Sequence, residues 1–192
     1  MERRMITISS DFQTREDGGR KIIAGYFSVY GSIYNIGPGM SEEIAPGAFD
    51  DCLEDDVRAL INHDTTLVMG RTKAKTLILK VDEKGLYGEI EINQADTDAL
   101  NCYSRVQRKD VNQCSFGFDI LDEETVYKED GSVHWIIRKV KLYEVSVCTF
   151  PAYEETAVEA RQKQADHFNK RKLEQQKLEI SNRLERFKCS NS

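Results

Sequence analysis

Polar and apolar residues alternate along Asn112 to Phe118, Asn-Gln-Cys-Ser-Phe-Gly-Phe, which predicts a strand. Its core face would carry Cys114, Phe116 and Phe118, and its other face Gln113, Ser115 and Gly117. Gly117 has no side chain, so a second backbone can approach on the Ser115 side. The same alternation in Leu142 to Cys148 turns Tyr143, Val145 and Val147 inward and Glu144, Ser146 and Cys148 away.

Other runs extend the pattern. Lys21 to Tyr30 is dense in β-branched and aromatic residues and predicts a buried strand after a tight turn at Asp17-Gly18-Gly19. Gly31 to Met40, with Gly37-Pro38-Gly39 inside it, reads as an irregular surface loop. Pro46 and Gly47 then open a short helix through about Asp55, with Ala48, Phe49 and Leu53 as its buried stripe. Val57 to Asn62 forms a strand that delivers His63 and Asp64 at its end. Leu67 to Arg71, Thr76 to Asp82 and Leu86 to Ile92 are further strands, with a turn at Glu83-Lys84-Gly85. Asp96 to Lys109 has helical spacing, with Leu100, Tyr103 and Val106 on one side and Asp96 or Thr97 as the cap. Thr125 to Tyr127, a turn at Glu129-Asp130-Gly131, Val133 to Val140 and a last strand from Leu142 to Phe150, stopped by Pro151, complete the series.

Many short strands with few helices predict a mainly β (α+β) fold, a closed or nearly closed β-barrel with flanking helices rather than an alternating parallel sheet. The stretch from Glu154 to Phe187 differs: free of glycine and proline, it places Leu173, Ile180, Leu184 and Phe187 at helical spacing among charges. It reads as one long helix or two, either packed on the barrel or ordered by a partner. The division expected is a domain over residues 1–160 and a basic helical tail over 161–192.

Charge sharpens that division. The formal net charge is -6, but residues 161–192 carry nine Lys or Arg against four Asp or Glu, and the other 160 residues carry 18 against 29. An acidic body argues against a nucleic-acid-binding domain, whereas the basic tail suits an acidic partner or a solvated helix face. No apolar run is long enough to cross a bilayer, and the opening residues lack the pattern of a secretory signal. Five cysteines without a Cys-x-x-Cys pair argue against a disulfide framework or a zinc knuckle and fit a reducing cytoplasm.

Ser115 suggests chemistry because it stands on a strand face beside a glycine. A serine hydroxyl needs an imidazole within hydrogen-bonding reach, and usually a third group to orient that imidazole. Of the three histidines, His167 lies in the charged tail and His134 sits beside Trp135 as a packed or surface residue. His63, at the end of an apolar strand, is the candidate base. For the third group, Glu144 is a carboxylate within an apolar strand, where it must meet solvent or a partner. Asp64 competes by proximity, though adjacent side chains on a strand point apart. The plainer readings remain open: Ser115 as polar surface, and Glu144 paired with Lys139 or Lys141.

Four fragments in order resemble the prohead maturation proteases of tailed bacteriophages. They are Glu43-Ile44-Ala45-Pro46-Gly47-Ala48-Phe49, Asn62-His63-Asp64 with Gly70-Arg71-Thr72, Ser115-Phe116-Gly117-Phe118, and Glu144-Val145-Ser146-Val147 leading to Thr149-Phe150-Pro151-Ala152-Tyr153. The resemblance covers about residues 20 to 160. It implies a serine endopeptidase with a barrel of the herpesvirus assemblin type, needing no metal or cofactor. Such an enzyme acts in the host cytoplasm, inside the immature capsid, on the major capsid protein or its scaffold segment and on itself. His63 would be the base and Ser115 the nucleophile. Where the herpesvirus relatives have a second histidine, the matching strand here has Glu144, which becomes the third member. Those relatives also hold the oxyanion with arginine-linked backbone, yet no arginine follows Glu144 until Arg161, so the resemblance does not locate the oxyanion hole. They act as dimers, which makes a homodimer possible without marking a dimer face.

Two rival readings follow from the same residues. One is a non-catalytic capsid assembly or scaffolding protein with a protease-like barrel. The other makes Cys114 the nucleophile, although alternation sets it among the phenylalanines.

Overall fold

Among the described residues, the alternating runs fold into eleven strands around an aromatic core. The computed structural model describes residues 4–150 and, in the C-terminal stretch, 161–166, 169–174, 176–177 and 180. In chain order the strands are β1 (Arg4–Ser9), β2 (Gln13–Asp17), β3 (Arg20–Val29), β4 (Tyr34–Gly37), β5 (Met40–Ile44), β6 (Arg58–Ile61), β7 (Asp64–Arg71), β8 (Leu77–Val81), β9 (Gly85–Ile92), β10 (Gln113–Tyr127) and β11 (Val133–Cys148). One helix, α1 (Thr97–Gln107), stands between β9 and β10, capped by the Asp96 carboxylate, which accepts from the backbone of Asp98 and Ala99.

Seven strands form one sheet in the order β1-β10-β11-β5-β4, with β6 on β11 and β7 on β6; four form a second, β2-β3-β9-β8. No ladder joins the two sheets among the described residues. They meet across the core, where Cys114 Sγ donates to the Tyr26 carbonyl at 3.2 Å. The fold is thus mainly β (α+β).

β11 organises the larger sheet. It pairs antiparallel with β10 along its length, while its other edge takes β5 in parallel at Val133–Ile137 and β6 in parallel at Glu144–Val147. The chain between β5 and β6 must therefore travel along that edge. This is why the helix expected from Pro46 to Asp55 is replaced by turns and one 3-10 turn at Asp50–Cys52. Ala45 N–H donates to Ile137 O, Val140 N–H donates to Ala48 O, and Phe49 and Cys52 are buried under the crossing.

Three more expectations are corrected. Gly31 to Met40 is not an irregular loop but contains the β4–β5 hairpin, with Pro38 and Gly39 (φ 69°) as its turn. The strands expected separately after Ser115 and after Val133 are two continuous strands of 15 and 16 residues. Charged residues such as Asp122 and Lys139 interrupt the apolar pattern without breaking the ladder, at bulges where the register shifts. The bulge between Gly117 and Phe118 pairs them with Glu144 and Leu142, leaving Tyr143 over. Leu142 rather than Tyr143 then enters the core, and the half-buried Tyr143 hydroxyl donates to Asp119 at 2.7 Å.

The main core gathers Phe116, Phe118, Val145 and Val147 from the larger sheet with Ile23, Phe27 and Ile90 from the smaller. α1 adds Ala99, Cys102, Tyr103 and Val106. A second cluster, Met40, Val133, Trp135 and Ala165, lies at the opposite end of β11 from Cys148. There Arg161 is fully buried: it bridges Glu123 at 2.6 Å and Glu42 at 3.3 Å, and its guanidinium lies 4.4 Å from the Trp135 ring centroid. Helical residues 161–166 thereby pack on the body. Residues 169–174, 176–177 and 180 are helical as well, with Leu173 and Ile180 exposed, whereas His167, Leu184 and Phe187 lie outside the described residues. Among the described residues no helix is long and apolar enough to cross a membrane.

Candidate active site

His63 is placed by a tight turn. Asn62 (φ 50°) and His63 (φ 61°) both adopt the left-handed region and form the two-residue link between β6 and β7. That geometry matches the twist of a hairpin, and asparagine and histidine tolerate it better than most residues. Three hydrogen bonds fasten the turn to the end of β11. Asn62 N–H donates to Val147 O at 3.0 Å, Thr149 N–H donates to Asn62 Oδ1 at 2.9 Å, and His63 N–H donates to Ser146 Oγ at 3.3 Å.

From there the imidazole reaches Glu144. Nδ1 lies 2.7 Å from Oε1 in an environment where both side chains are mostly withdrawn from water, 15% and 6% exposed. The carboxylate accepts from Nδ1–H, which leaves Nε2 as the lone-pair nitrogen. Glu144 Oε2 accepts a second bond from the Ser146 hydroxyl at 2.6 Å. The Cys148 thiol stands 3.7 Å from Nε2. Glu144, Ser146 and Cys148 do face away from the aromatic core, yet all three are buried. The surface pairings envisaged for Glu144 are absent: Lys139 bridges Asp51, and Lys141 stands over the Tyr143 ring.

Ser115 lies across the ladder from Ser146, and Gly117 from Glu144. Side chains directly opposite on neighbouring strands share a face with Cβ atoms about 4.5–5.5 Å apart. Ser115 thus belongs to the same patch as the His63–Glu144 pair. Its hydroxyl is fully buried and has no hydrogen-bond partner among the described residues. Catalytic hydrogen bonds in ligand-free proteins are often long or unmade, so an unpartnered hydroxyl is compatible with a nucleophile.

The competing residues have other employment. The Asp64 carboxylate accepts from Thr66 N–H and Thr66 Oγ1, and these bonds hold it below the usual carboxylate range. His134 contacts Ser41 and Glu43, well along β11 from Glu144. Cys114 points into the core, and burial pushes its thiol far up. Arg161, engaged at the Trp135 end of β11, does not serve this site. The Gly70-Arg71-Thr72 fragment is architectural. Gly70 admits the Thr76 carbonyl, Arg71 grips Asp56 through two 2.6 Å bonds, and Thr72 closes on the Asp55 carbonyl and Val57 N–H.

Sequence reasoning gave no role to Ser146. The signal was present, since Ser146 shares a strand face with Glu144 two residues away, but a serine in a strand has no chemical signature until its partners are known.

The model of the caudovirus prohead serine protease family matches residues 9–171. The chain is also 30% identical over 140 residues to the prohead protease of Enterobacteria phage HK97, a match covering 71% of this chain and 60% of that relative. The aligned stretch is therefore less than two thirds of the relative's length. No solved structure matches the chain. A family match over most of the chain, together with this relative, shows that the protein belongs to the caudovirus prohead serine proteases.

Proposed function

We propose that the protein is a serine endopeptidase of phage capsid maturation, with Ser115 as nucleophile, His63 as general base and Glu144 as the group that orients His63. The observation that carries this reading is the 2.7 Å contact between His63 Nδ1 and Glu144 Oε1, on the same sheet face as the unpartnered Ser115 hydroxyl. Neutral His63 takes the Ser115 proton through Nε2 as the hydroxyl oxygen attacks a peptide carbonyl. Glu144 stabilises the imidazolium that forms. His63 then protonates the leaving amine, and water activated by the same imidazole hydrolyses the acyl-enzyme.

Substrates in this reading are scaffold segments of the major capsid protein and the protease's own chain, cleaved within the immature capsid in the host cytoplasm. The barrel would be of the nearly closed herpesvirus type; the close packing of Gly70 on Thr76, where β7 approaches the smaller sheet, supports it. The basic residues beyond 160 suit docking to scaffold or capsid protein. Deletion of those past residue 166, which leaves the buried Arg161 anchor in place, would abolish packaging into the capsid and spare cleavage of a free peptide.

The test is intact mass over time for the protein and its Ser115→Ala variant, alone and with candidate scaffold protein. Defined fragments from the parent and none from the variant support the proposal. If both stay whole while the scaffold is bound, the protein is an assembly factor without proteolysis.

A further inference from the structure

We infer that Ser146 is a positioning residue of the proposed reaction: one buried hydroxyl fixes both the carboxylate and the backbone of the base. The inference rests on the reading of His63 and Glu144 as a working pair. Ser146 is fully buried on β11, opposite Ser115 and two residues from Glu144. Its oxygen accepts from His63 N–H at 3.3 Å and its proton goes to Glu144 Oε2 at 2.6 Å.

These two bonds constrain each other. With its oxygen turned to the His63 backbone, the hydroxyl directs its single proton at Glu144. Glu144 then has one donor on each oxygen, His63 Nδ1–H on Oε1 and Ser146 on Oε2, so its plane is held at two points. A buried carboxylate oxygen that loses its donor is costly and tends to turn toward another one. The backbone bond matters separately, because His63 sits at φ 61° and is kept there by the contacts of its turn. Removing the hydroxyl loosens the carboxylate and the base together. Ser146 is not itself placed as a nucleophile, since its proton is committed to Glu144 rather than to Nε2.

The experiment uses two backgrounds. In the full chain carrying Ser115→Ala, which cannot cut itself by the proposed route, the His63 Nδ1–H proton is sought in the downfield region of the proton NMR spectrum. It is assigned by its loss in His63→Gln. Ser146→Ala, and the nearly isosteric Ser146→Cys with its weak donor, are expected to move this signal upfield or broaden it by exchange with water. With Ser115 intact, the same substitutions are expected to lower kcat on a scaffold-derived peptide about 10- to 100-fold, the scale of a small misplacement of catalytic groups, with KM little changed. Loss in the alanine variant alone would report a packing defect and overturn the inference, as would an unchanged signal and kcat in both. Should the parent cut no peptide while the signal still responds to Ser146, the protease reading fails and the positioning role stands.

Discussion

Gly117 makes the room that the Glu144 carboxylate occupies. The two residues face each other across the β10–β11 ladder, and a Cβ built on Gly117 would stand 2.6 Å from Glu144 Oε1, the oxygen that meets His63. Glu144 cannot simply swing aside, because its second oxygen is held by Ser146. The glycine's value is local space for a side chain.

Gly117→Ala is therefore expected to lower both stability and activity. The methyl group forces Glu144 to shift, and overpacking of this kind costs about 1–3 kcal/mol. A misplaced orienting group costs on the order of 100-fold in rate. Urea unfolding together with peptide cleavage per folded molecule checks this. A variant as active as the parent would show that Glu144 does not orient the base.

The buried thiols are expected to be inert in the native protein. Burial is the main cause that pushes Cys52 and Cys148 up to about 12 and Cys102 up to about 11, and it raises Cys114 further still. For Cys148 the neighbouring Glu144 charge adds to the effect. In a Cys189→Ser variant, a chromogenic disulfide reagent at mildly alkaline pH should give no prompt reaction until denaturant is added, and iodoacetamide should leave cleavage intact. Inactivation by iodoacetamide, together with loss of cleavage in Cys114→Ala and its retention in Ser115→Ala, would make Cys114 the nucleophile.

What could be read from the sequence depended on whether a feature is local. Alternation at Cys114, Phe116 and Phe118 located the core face of β10, and Asp96 marked the start of α1, because period and capping act over a few residues. The bulge that exchanges Tyr143 for Leu142 could not be read, since register is set by the partner strand. The 3-10 turn at Asp50–Cys52 escaped for a similar reason: only the path along β11 prevents a longer helix there. At the candidate site, His63 and Glu144 were visible as chemistry-bearing residues at strand positions. Ser146 was not, and Gly117 was read as room for a second backbone rather than for the Glu144 side chain, because the importance of both lies in what stands 2.6 Å away.

The open end of the β6–β7 hairpin, where Arg71 meets Asp56, should be acid-sensitive. The Arg71 hydrogen bonds, with Arg58 and Lys73 nearby, hold Asp56 down to about 2. An aspartate in an unfolded chain titrates at about 3.9. A folded value below the unfolded one means that the group stabilises the fold above about pH 4, and that this contribution fades as pH falls toward about 2. Asp56→Asn is therefore expected to unfold at lower urea than the parent at pH 7, with the two converging as the solution is acidified. A constant difference between them down to pH 2 would show that Asp56 acts through packing instead.

Arg161 gives the sharpest contrast between stability and chemistry. Its guanidinium is fully buried against Trp135 and bridges Glu42 and Glu123, at the end of β11 away from Cys148 and His63. Breaking a buried ion pair by removing one partner typically costs about 3–5 kcal/mol, because the remaining charge stays buried and uncompensated. Arg161→Met keeps much of the apolar contact with Trp135 but leaves Glu42, which is only 8% exposed at its side chain, without this cation. The variant is expected to lose stability toward that range, less whatever relief water reaching the more exposed Glu123 provides. Peptide cleavage by the folded fraction should stay within about twofold of the parent, since sites far apart with no shared partners act independently. Equilibrium unfolding gives the first quantity, and single-turnover cleavage normalised to folded protein gives the second. A large drop in cleavage at full folding would mean that anchoring residues 161–166 to the body also shapes the site around Ser115.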